Sequence, residues 1–387
     1  MLIKQYIFFQ LAADLNDQYA QLMLGKIYYV NNYVKQDLKK SIYYLTLSAN
    51  QNYFKAQYFL GITYISGEYI ERDVNKAIYY FTLSANQNYS EAQYQLALYY
   101  YHNRYKENNA VKCIYYLKLA ADQNHLRAQI KLGLIYYDGE IVGRDISKCI
   151  HYITLASVKN NPLAHYYLGC LYFEISDIKN SIHHLKMAAK QNYLESNFSV
   201  GILYYKRNSK PNDINKAIHY FTLSANQNNS DAQNILGYLY LHVIKPIDAN
   251  KAIHYYNLSA KQNNKYALYN LGLIYLDGKY VVRDIDRAIY YFTLSANQGF
   301  DFSQYFLGFI YSNKVFKSYN INKAIHYFTL SANQCNKKSQ FNIGLIYLNG
   351  EGVQQDVDKA IHYLELSANK KYKQALFILG NIQGWTY

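Results

Sequence analysis

The stretch AQYFLGITY, residues 56–64, is one copy of a phrase that occurs eleven times along this 387-residue chain. Ten copies have glycine at the position of Gly61, and Ala97 replaces it in the third copy. Successive copies lie 36 residues apart, apart from one step of 32 and one of 35. A fixed period of this size predicts stacked helical repeats rather than a globule around an enclosed active site. The ten glycines are Gly25, Gly61, Gly133, Gly169, Gly201, Gly237, Gly272, Gly308, Gly344 and Gly380.

The phrase itself predicts the first helix of each repeat. Ala56, Leu60 and Thr63 recur at helical spacing and form one stripe that we expect to be buried. Gly61 stands in the middle of this helix, where glycine costs about 1 kcal/mol relative to alanine. Because that cost recurs in ten copies, we expect the missing methyl group to let a neighbouring helix approach. Left-handed glycines are expected to end several of these helices, at Gly67, Gly139, Gly278 and Gly350.

A second helix follows after a short loop and is predicted to begin near Lys76. Asp73 precedes that lysine by three residues, where an aspartate caps the free amides of a new helix and matches its dipole. Aspartates at the same place are Asp37, Asp145, Asp213, Asp248, Asp284 and Asp356. The residues of the second helix expected to be buried are Ala77, Ile78, Phe81, Ser84 and Ala85, and those on the opposite face are Tyr79, Thr82 and Asn86. The step of 32 falls where residues 172–177 shorten the loop between the helices.

Composition limits the classes of function. The formal charge is +14, but the lysines are spread one or two per repeat, so we expect a solvated basic surface and not a nucleic-acid site. Tyrosine is abundant, with 49 copies, and so is asparagine, which genome bias explains as well as selection does. No secretory signal and no apolar membrane span are present in the sequence. The four cysteines, Cys113, Cys149, Cys170 and Cys335, form no disulfide framework, which favours a reduced, cytoplasmic protein.

The combined pattern resembles the Sel-1-like repeat family, a relative of the tetratricopeptide repeat. Its elements are Ala-x-x-x-Leu-Gly-x-x-Tyr, then a glycine loop and a capping aspartate, then Lys-Ala-x-x-Tyr with Ser-Ala; residues 339–363 carry the best copy. The resemblance implies antiparallel helix pairs that serve as an adaptor or scaffold for protein complexes, with the first helices lining the concave groove. The stapling cysteine pairs of some secreted members are missing in this sequence, so the resemblance does not extend to that branch.

We therefore expect an all-α, right-handed α/α superhelical solenoid of antiparallel helix pairs, with about 22 helices and a 36-residue period. Residues 1–387 are expected to form a single repeat array. Within it, residues 1–19 are a leading second-helix half-unit, residues 20–374 are ten helix pairs, and residues 375–387 are a terminal first-helix half-unit. Since neither end has the polar character of a capping repeat, we also expect end-to-end self-association or a longer native chain. The tail of residues 384–387 is a candidate partial lid over the last helix.

No enzyme motif is found, neither a phosphate-binding loop nor a zinc-protease or nucleophile-elbow pattern, so catalysis and cofactors are not expected. Six histidines occupy one repeat position, and tyrosine replaces them in other repeats. They are His151, His183, His219, His254, His326 and His362. Since neighbouring copies should lie a helix spacing apart, we expect an exposed ladder and not a metal or pH-sensing site.

On one face of the first helices the residue types differ from repeat to repeat, whereas the neighbouring positions keep the same residue types. We name it the variable face and define it by the residues equivalent to Lys55, Phe59 and Ser66. In an α-helix, residues 4 and 11 positions apart differ in direction about the helix axis by only about 40° and 20°. These three positions therefore share one side of the helix. Such a face is where a repeat array encodes its choice of partner, although an unconstrained solvent surface is an equal alternative. The candidate partner-binding residues are Phe59, Gln95, Lys131, Tyr167 and Phe306, the aromatic ones being the best anchors.

The sequence thus favours a non-enzymatic cytoplasmic scaffold or adaptor that binds peptide or protein partners in the groove. The alternative is that the array is the regulatory region of a larger signalling protein, for example one fused to a kinase domain. An RNA-binding solenoid ranks third, because only the net charge favours it.

Overall fold

The structure of the chain is a computed structural model that describes residues 2–30, 35–67, 71–106, 108–207 and 211–383. Within these ranges every regular element is helical and none is a strand, which confirms the all-α prediction. The α-helices in these ranges number 22 and run as α1 Leu2–Asp14, α2 Gln18–Tyr29, α3 Leu38–Asn50, α4 Phe54–Ser66, α5 Val74–Asn86, α6 Ser90–His102, α7 Asn109–Asp122, α8 Leu126–Asp138, α9 Ile146–Ser157, α10 Pro162–Glu174, α11 Ile178–Lys190, α12 Leu194–Arg207, α13 Pro211–Asn226, α14 Ser230–Tyr238, α15 Ala249–Lys261, α16 Lys265–Asp277, α17 Ile285–Ala296, α18 Asp301–Ser312, α19 Ile321–Asn333, α20 Lys337–Asn349, α21 Val357–Ala368 and α22 Lys373–Gln383. A π-helical turn, Leu239–Val243, continues α14.

The chain forms two compact units, residues 1–196 and residues 197–387. In each unit the even-numbered helices are the predicted first helices of the repeats, and the odd-numbered ones are the second helices. A second helix packs against the first helix before it and against the first helix after it, as α3 does between α2 and α4, and α19 between α18 and α20. Helix α2 begins at Gln18 and α22 at Lys373, each two residues before the corresponding predicted boundary.

The mid-helix glycines lie against a large side chain of the following second helix. A methyl group at Gly61 would stand 2.5 Å from the Phe81 ring, and one at Gly308 would stand 2.6 Å from the Phe328 ring. Both rings are buried, so neither has room to retreat. The same close approach is found at Gly25, Gly133, Gly169, Gly201, Gly237, Gly272 and Gly344. The expectation that the missing methyl group lets a helix approach is confirmed.

The turn from each second helix to the next first helix contains one residue in the left-handed conformation. Asn52 occupies this place with a φ of 64°. Asparagine tolerates the left-handed region better than most residues other than glycine. Eight turns use it, at Asn16, Asn52, Asn88, Asn124, Asn160, Asn192, Asn228 and Asn263. The recurring asparagines therefore have a conformational role beyond genome composition.

A network of amide side chains, which we did not predict from the sequence, links successive turns. Gln57 donates from Nε2 to Asn52 Oδ1 at 3.0 Å. Gln87, one repeat further on, donates to Gln57 Oε1 at 2.7 Å and to the same Asn52 oxygen at 3.0 Å. Since Gln57 is buried, these bonds satisfy an amide that would otherwise be costly to bury. Equivalent triplets are Asn16 with Gln21 and Gln51, and Asn88 with Gln93 and Gln123; Gln262 likewise donates to Asn228 and Gln233.

Six of the seven predicted aspartates cap a second helix. Asp73 Oδ1 accepts from the Lys76 backbone N–H at 3.0 Å, and that hydrogen bond is the main reason why the pKa of Asp73 lies below its ordinary value. The same cap is found at Asp37, Asp145, Asp248, Asp284 and Asp356. The cap prediction is wrong at Asp213. Helix α13 starts earlier, at Pro211, so this buried aspartate lies inside its first turn. There the Asp213 carboxylate lies 3.6 Å from Arg207 Nε.

Stacked aromatic rings join the two helices of every repeat. The rings of Tyr64 and Tyr80 lie 5.9 Å apart and nearly parallel, and Lys76 Nζ lies 5.2 Å from the Tyr64 ring centroid. Such contacts use both the apolar area and the quadrupole of the ring. The other pairs are Tyr28–Tyr44, Tyr100–Tyr116, Tyr136–Tyr152, Tyr172–His184, Tyr204–Tyr220, Tyr240–Tyr255, Tyr275–Tyr291, Tyr311–Tyr327 and Tyr347–Tyr363. The abundance of tyrosine is thus partly a property of the repeat itself.

Candidate partner-binding face

The five predicted site residues all lie on the variable face, and all five are half-buried rather than fully exposed. Phe59 packs against the core of its repeat, and Lys26 Nζ lies 3.9 Å from its ring centroid. Lys131 Nζ lies 3.5 Å from the Tyr101 ring centroid. These two residues therefore already have partners within the chain. Their contacts hold neighbouring first helices together, so only part of each side chain remains open to a partner.

Phe306 lies in a cavity of about 650 Å³ in the second unit. The cavity is lined by the π-helical turn after α14, by Tyr256 of α15, and by α16 and α18 with the loops that follow these two helices. Phe306 stacks on the buried Phe292 ring at 5.3 Å, so its inner side belongs to the core while its edge faces the cavity. The apolar side chains that line this space are Leu241, Leu273, Ile274, Leu276, Phe306, Phe309 and Phe316, and the polar ones include His242, Asn270, Asp277, Arg283 and Asn313.

Two further cavities of the same kind lie in the first unit. One, of about 500 Å³, is lined by Gln95 together with Arg72 and His102. The other, of about 220 Å³, is lined by Tyr167 and Glu174. Each lies between successive first helices, so Gln95, Tyr167 and Phe306 hold corresponding places in three separate repeats. The structure does not bring the five predicted residues into one site.

The structure adds a fourth position to the variable face, three residues after that of Phe59. It is held by Leu98, Leu134, Cys170, Tyr238, Leu273 and Phe309, among others. Phe309 is 39% exposed and Tyr238 is 44% exposed, so both present more surface than Phe306 does. Spacing of i and i+3 was the signal that could have found this position, because residues three apart are neighbours on a helix surface.

The histidine ladder lies on the second helices and is exposed, as predicted. All six histidines are exposed, and so are the tyrosines that replace them, such as Tyr79. In the part of the chain that the structure describes, no three His, Cys, Asp or Glu side chains come together in a group that could hold a metal ion. Cys113 and Cys149 are buried free thiols, and burial raises the pKa of both.

A second pair of histidines, which we did not single out in the sequence, lies inside one repeat. His165 Nδ1 lies 3.1 Å from His184 Nδ1, so one ring donates a hydrogen bond to the other. His165 takes the place that Gln57 has elsewhere, and His184 takes that of Tyr80. Burial, followed by the charge of His165 and then of His183, lowers the pKa of His184 to about 4. Burial and then His183 also lower the pKa of His165.

Stacked pairs of antiparallel helices with one variable face define the class of α-helical solenoid repeat proteins. The chain belongs to the Sel1 repeat family, which confirms the resemblance seen in the sequence. The family profile, described as Sel1 repeat, matches residues 18–53, 54–89, 90–125, 126–160, 162–193, 194–229, 230–264, 265–300, 301–334 and 337–372. No curated protein sequence matches the chain.

A solved structure shares the fold. The chain is similar to c5321, a protective antigen of uropathogenic Escherichia coli that displays an SLR fold, with 27% identity and a TM-score of 0.75; the match covers 97% of this chain and 82% of that one. It is also similar to a Sel1 repeat protein from Oxalobacter formigenes, with 21% identity and a TM-score of 0.45 over 99% of this chain and 90% of the other.

The family has a common broad class of function. Sel1 repeat proteins generally mediate protein–protein interactions and are typically non-catalytic. Among the helices α1 to α22, over the residues that the structure describes, none has the length and apolar character needed to cross a membrane.

Proposed function

We propose that the protein is a non-enzymatic, cytoplasmic scaffold or adaptor that binds peptide or protein partners along the variable face. The observation that carries this proposal is the cavity of about 650 Å³ in the second unit, where aromatic side chains remain open to solvent. Phe309, which lines it, is 39% exposed, and Phe302, elsewhere on the same helix α18, is 48% exposed. Exposed aromatic residues beside a concave surface are typical of interface hot spots. The free thiols support a reducing compartment.

Alanine at Phe59, Tyr167 or Phe306 is expected to weaken partner capture at least about fivefold, because truncation of a hot-spot aromatic costs more than about 1 kcal/mol. Capture is measured by affinity purification of the tagged chain from its own cells, with quantitative mass spectrometry. Tyr79→Ala is the matched control, since Tyr79 is an exposed ring on a second helix. Circular dichroism reports helicity. Unchanged capture together with earlier melting would place the three residues in the core alone.

The alternative remains that the array regulates a larger signalling protein, for example one with a kinase domain. The same face would then bind a segment of that protein. Sequencing the cellular transcript on both sides of the codons for residues 1–387 distinguishes the two, because only the alternative requires an adjoining catalytic domain.

Self-association is a second proposal, supported by apolar side chains at both ends of the described helices. Phe8 on α1 and Phe377 on α22 are 65% and 66% exposed. Residues 384–387, the candidate lid over α22, lie outside the described residues. We expect the apparent mass in light scattering to rise with concentration, and Phe8→Glu with Phe377→Glu to abolish the rise. Val282→Glu, which changes an exposed apolar residue of a loop, should leave it intact; a wild-type chain that stays monomeric would exclude the proposal.

A further inference from the structure

Arg283 stands beside the large cavity of the second unit and is held in place by the backbone. Gly278 ends α16 in the left-handed conformation, with a φ of 74°, and a methyl group there would stand 2.7 Å from Arg283 Cβ. The close contact fixes where the Arg283 side chain starts. Its guanidinium carbon lies 5.2 Å from the Phe316 ring centroid, and both residues line the cavity. The charge is therefore presented next to an apolar space.

Another repeat shows one way in which an arginine at this place is neutralised. Arg144 has the same position relative to its own capping aspartate, and its guanidinium pairs with the Glu174 carboxylate on the next first helix. The residue equivalent to Glu174 is Asn313, directly after α18, which carries no charge. Over the ranges that the structure describes, Arg283 takes part in no ion pair. The cavity beside the neutralised arginine is also the smaller one, about 220 Å³ against about 650 Å³.

The surroundings of Arg283 combine a positive charge with a large apolar wall. Burial, followed by the positive charge of Lys245, lowers the pKa of His242, which lines the same cavity. Asp277 is the carboxylate among the lining residues, and it is exposed. Leu276 and Phe309 offer apolar contact at the same place. Arginine prefers a carboxylate, which it binds through two parallel hydrogen bonds.

We infer that this cavity binds an acidic peptide segment, whose large apolar side chain fills the space beside Phe306 and Phe309 and whose Asp or Glu carboxylate pairs with Arg283. The inference rests on the proposed function and names the chemistry of the partner. The carboxylate of the ligand takes the place beside Arg283 that the Glu174 carboxylate takes beside Arg144. The net charge of +14 adds a long-range attraction for such a segment.

The test uses the full chain and an array of short synthetic peptides. Each peptide carries one Phe or Leu and one Glu at varied separation in a neutral background. Matched peptides replace Glu by Gln or Lys, and others replace Phe or Leu by Ser. We expect the Phe/Glu and Leu/Glu peptides to bind best. Arg283→Gln should lower their affinity about tenfold or more, as expected when one partner of a charged hydrogen-bonded pair is removed.

Two matched variants make the result specific. Arg144→Gln removes an arginine from the same repeat position and should leave peptide binding unchanged, because Arg144 is already paired with Glu174. Asp277→Asn should strengthen binding of the Glu peptides, since it removes a like charge from the cavity. Phe309→Ala should weaken all peptides that carry the apolar anchor.

Several outcomes would overturn the inference. Equal binding of Glu, Gln and Lys peptides, no effect of Arg283→Gln, or no binding of any peptide would each refute the acidic segment. If Phe309→Ala then still reduced capture of cellular partners while Arg283→Gln did not, the proposed function would stand and only the partner chemistry would be wrong. If neither variant changed capture, the proposed function itself would fail at this cavity.

Discussion

Leucine at Gly308 is expected to destabilise the second unit by up to about 3 kcal/mol, the usual cost of forcing extra volume into a packed helix contact. The Cβ atom alone would stand 2.6 Å from Phe328 Cδ1, and the Phe328 ring is buried. Helices α18 and α19 would have to separate. Leucine at Gly237 should act in the same way, because its Cβ would meet the Tyr256 ring at 2.6 Å.

Urea denaturation followed by circular dichroism gives the midpoint, and amide hydrogen exchange shows which repeats open. Exchange is needed because repeat arrays lose stability locally and not only as one cooperative unit. Gly143→Leu is the matched control, since no atom lies within 4 Å of a methyl group there. Midpoints that are the same for Gly308→Leu and wild type would mean that α18 and α19 do not approach this closely in solution.

As the pH falls, protonation of His165 and His184 is expected to destabilise the first unit at a higher pH than protonation of the capping aspartates does. A neutral pair shares one hydrogen bond, but two protonated rings would present two donors to each other. The pKa of His184 falls from 6.5 to about 4 in the fold, so the stabilisation is fully present above pH 6.5 and is lost as the pH falls towards 4. The shift sets an upper limit of about 3 kcal/mol, which screening at the half-exposed ring should reduce to about 1–2 kcal/mol.

The double substitution His165→Gln with His184→Tyr restores the residues that the other repeats carry at these two places. Its denaturation midpoint should fall less between pH 7 and pH 4 than that of the wild type, and the fall that remains includes the contribution of His242, whose pKa is also lowered. The pKa of a capping aspartate such as Asp73 lies below its ordinary value. Protonation of these caps therefore lowers stability mainly below the pH range in which the histidine pair titrates. A wild type and a double variant with parallel pH profiles would show that the histidine pair does not sense pH.

The repeat plan was predictable because it depends on local rules. Gly61 in mid-helix, Gly67 at a helix end and Asp73 before a helix each act within a few residues of their own position. Their recurrence fixed the period, the helices and the close contacts between them. Asp213 departed from the pattern because α13 starts earlier, at Pro211.

The amide network and the histidine pair were not predictable in the same way. Gln57 bonds to Gln87, 30 residues away on another turn, so the partner is known only when successive repeats are stacked. His165 meets His184 through the rotamers of two side chains on α10 and α11. The variable face lies on the first helices, but the burial of Phe59 and the exposure of Phe309 depend on the neighbouring repeat.

The amide network has a consequence for the evolution of the gene. Excision of residues 54–89 would join Tyr53 directly to Ser90. Gln93 would then lie five residues after Asn52 in the sequence, as Gln57 does now, and could donate to the same Asn52 Oδ1. Gln123 would in turn reach Asn52 as Gln87 does at present.

Each hydrogen bond that the lost repeat made with its two neighbours would be re-formed by a residue of the same type. Unequal recombination between copies that carry this Asn and Gln pattern can therefore lengthen or shorten the array by whole repeats without creating an unpaired buried amide. What recombination changes is the series of variable-face residues, such as Phe59 and Gln95, and hence the order in which binding positions follow one another. New partner preferences can arise by shuffling repeats that are already stable.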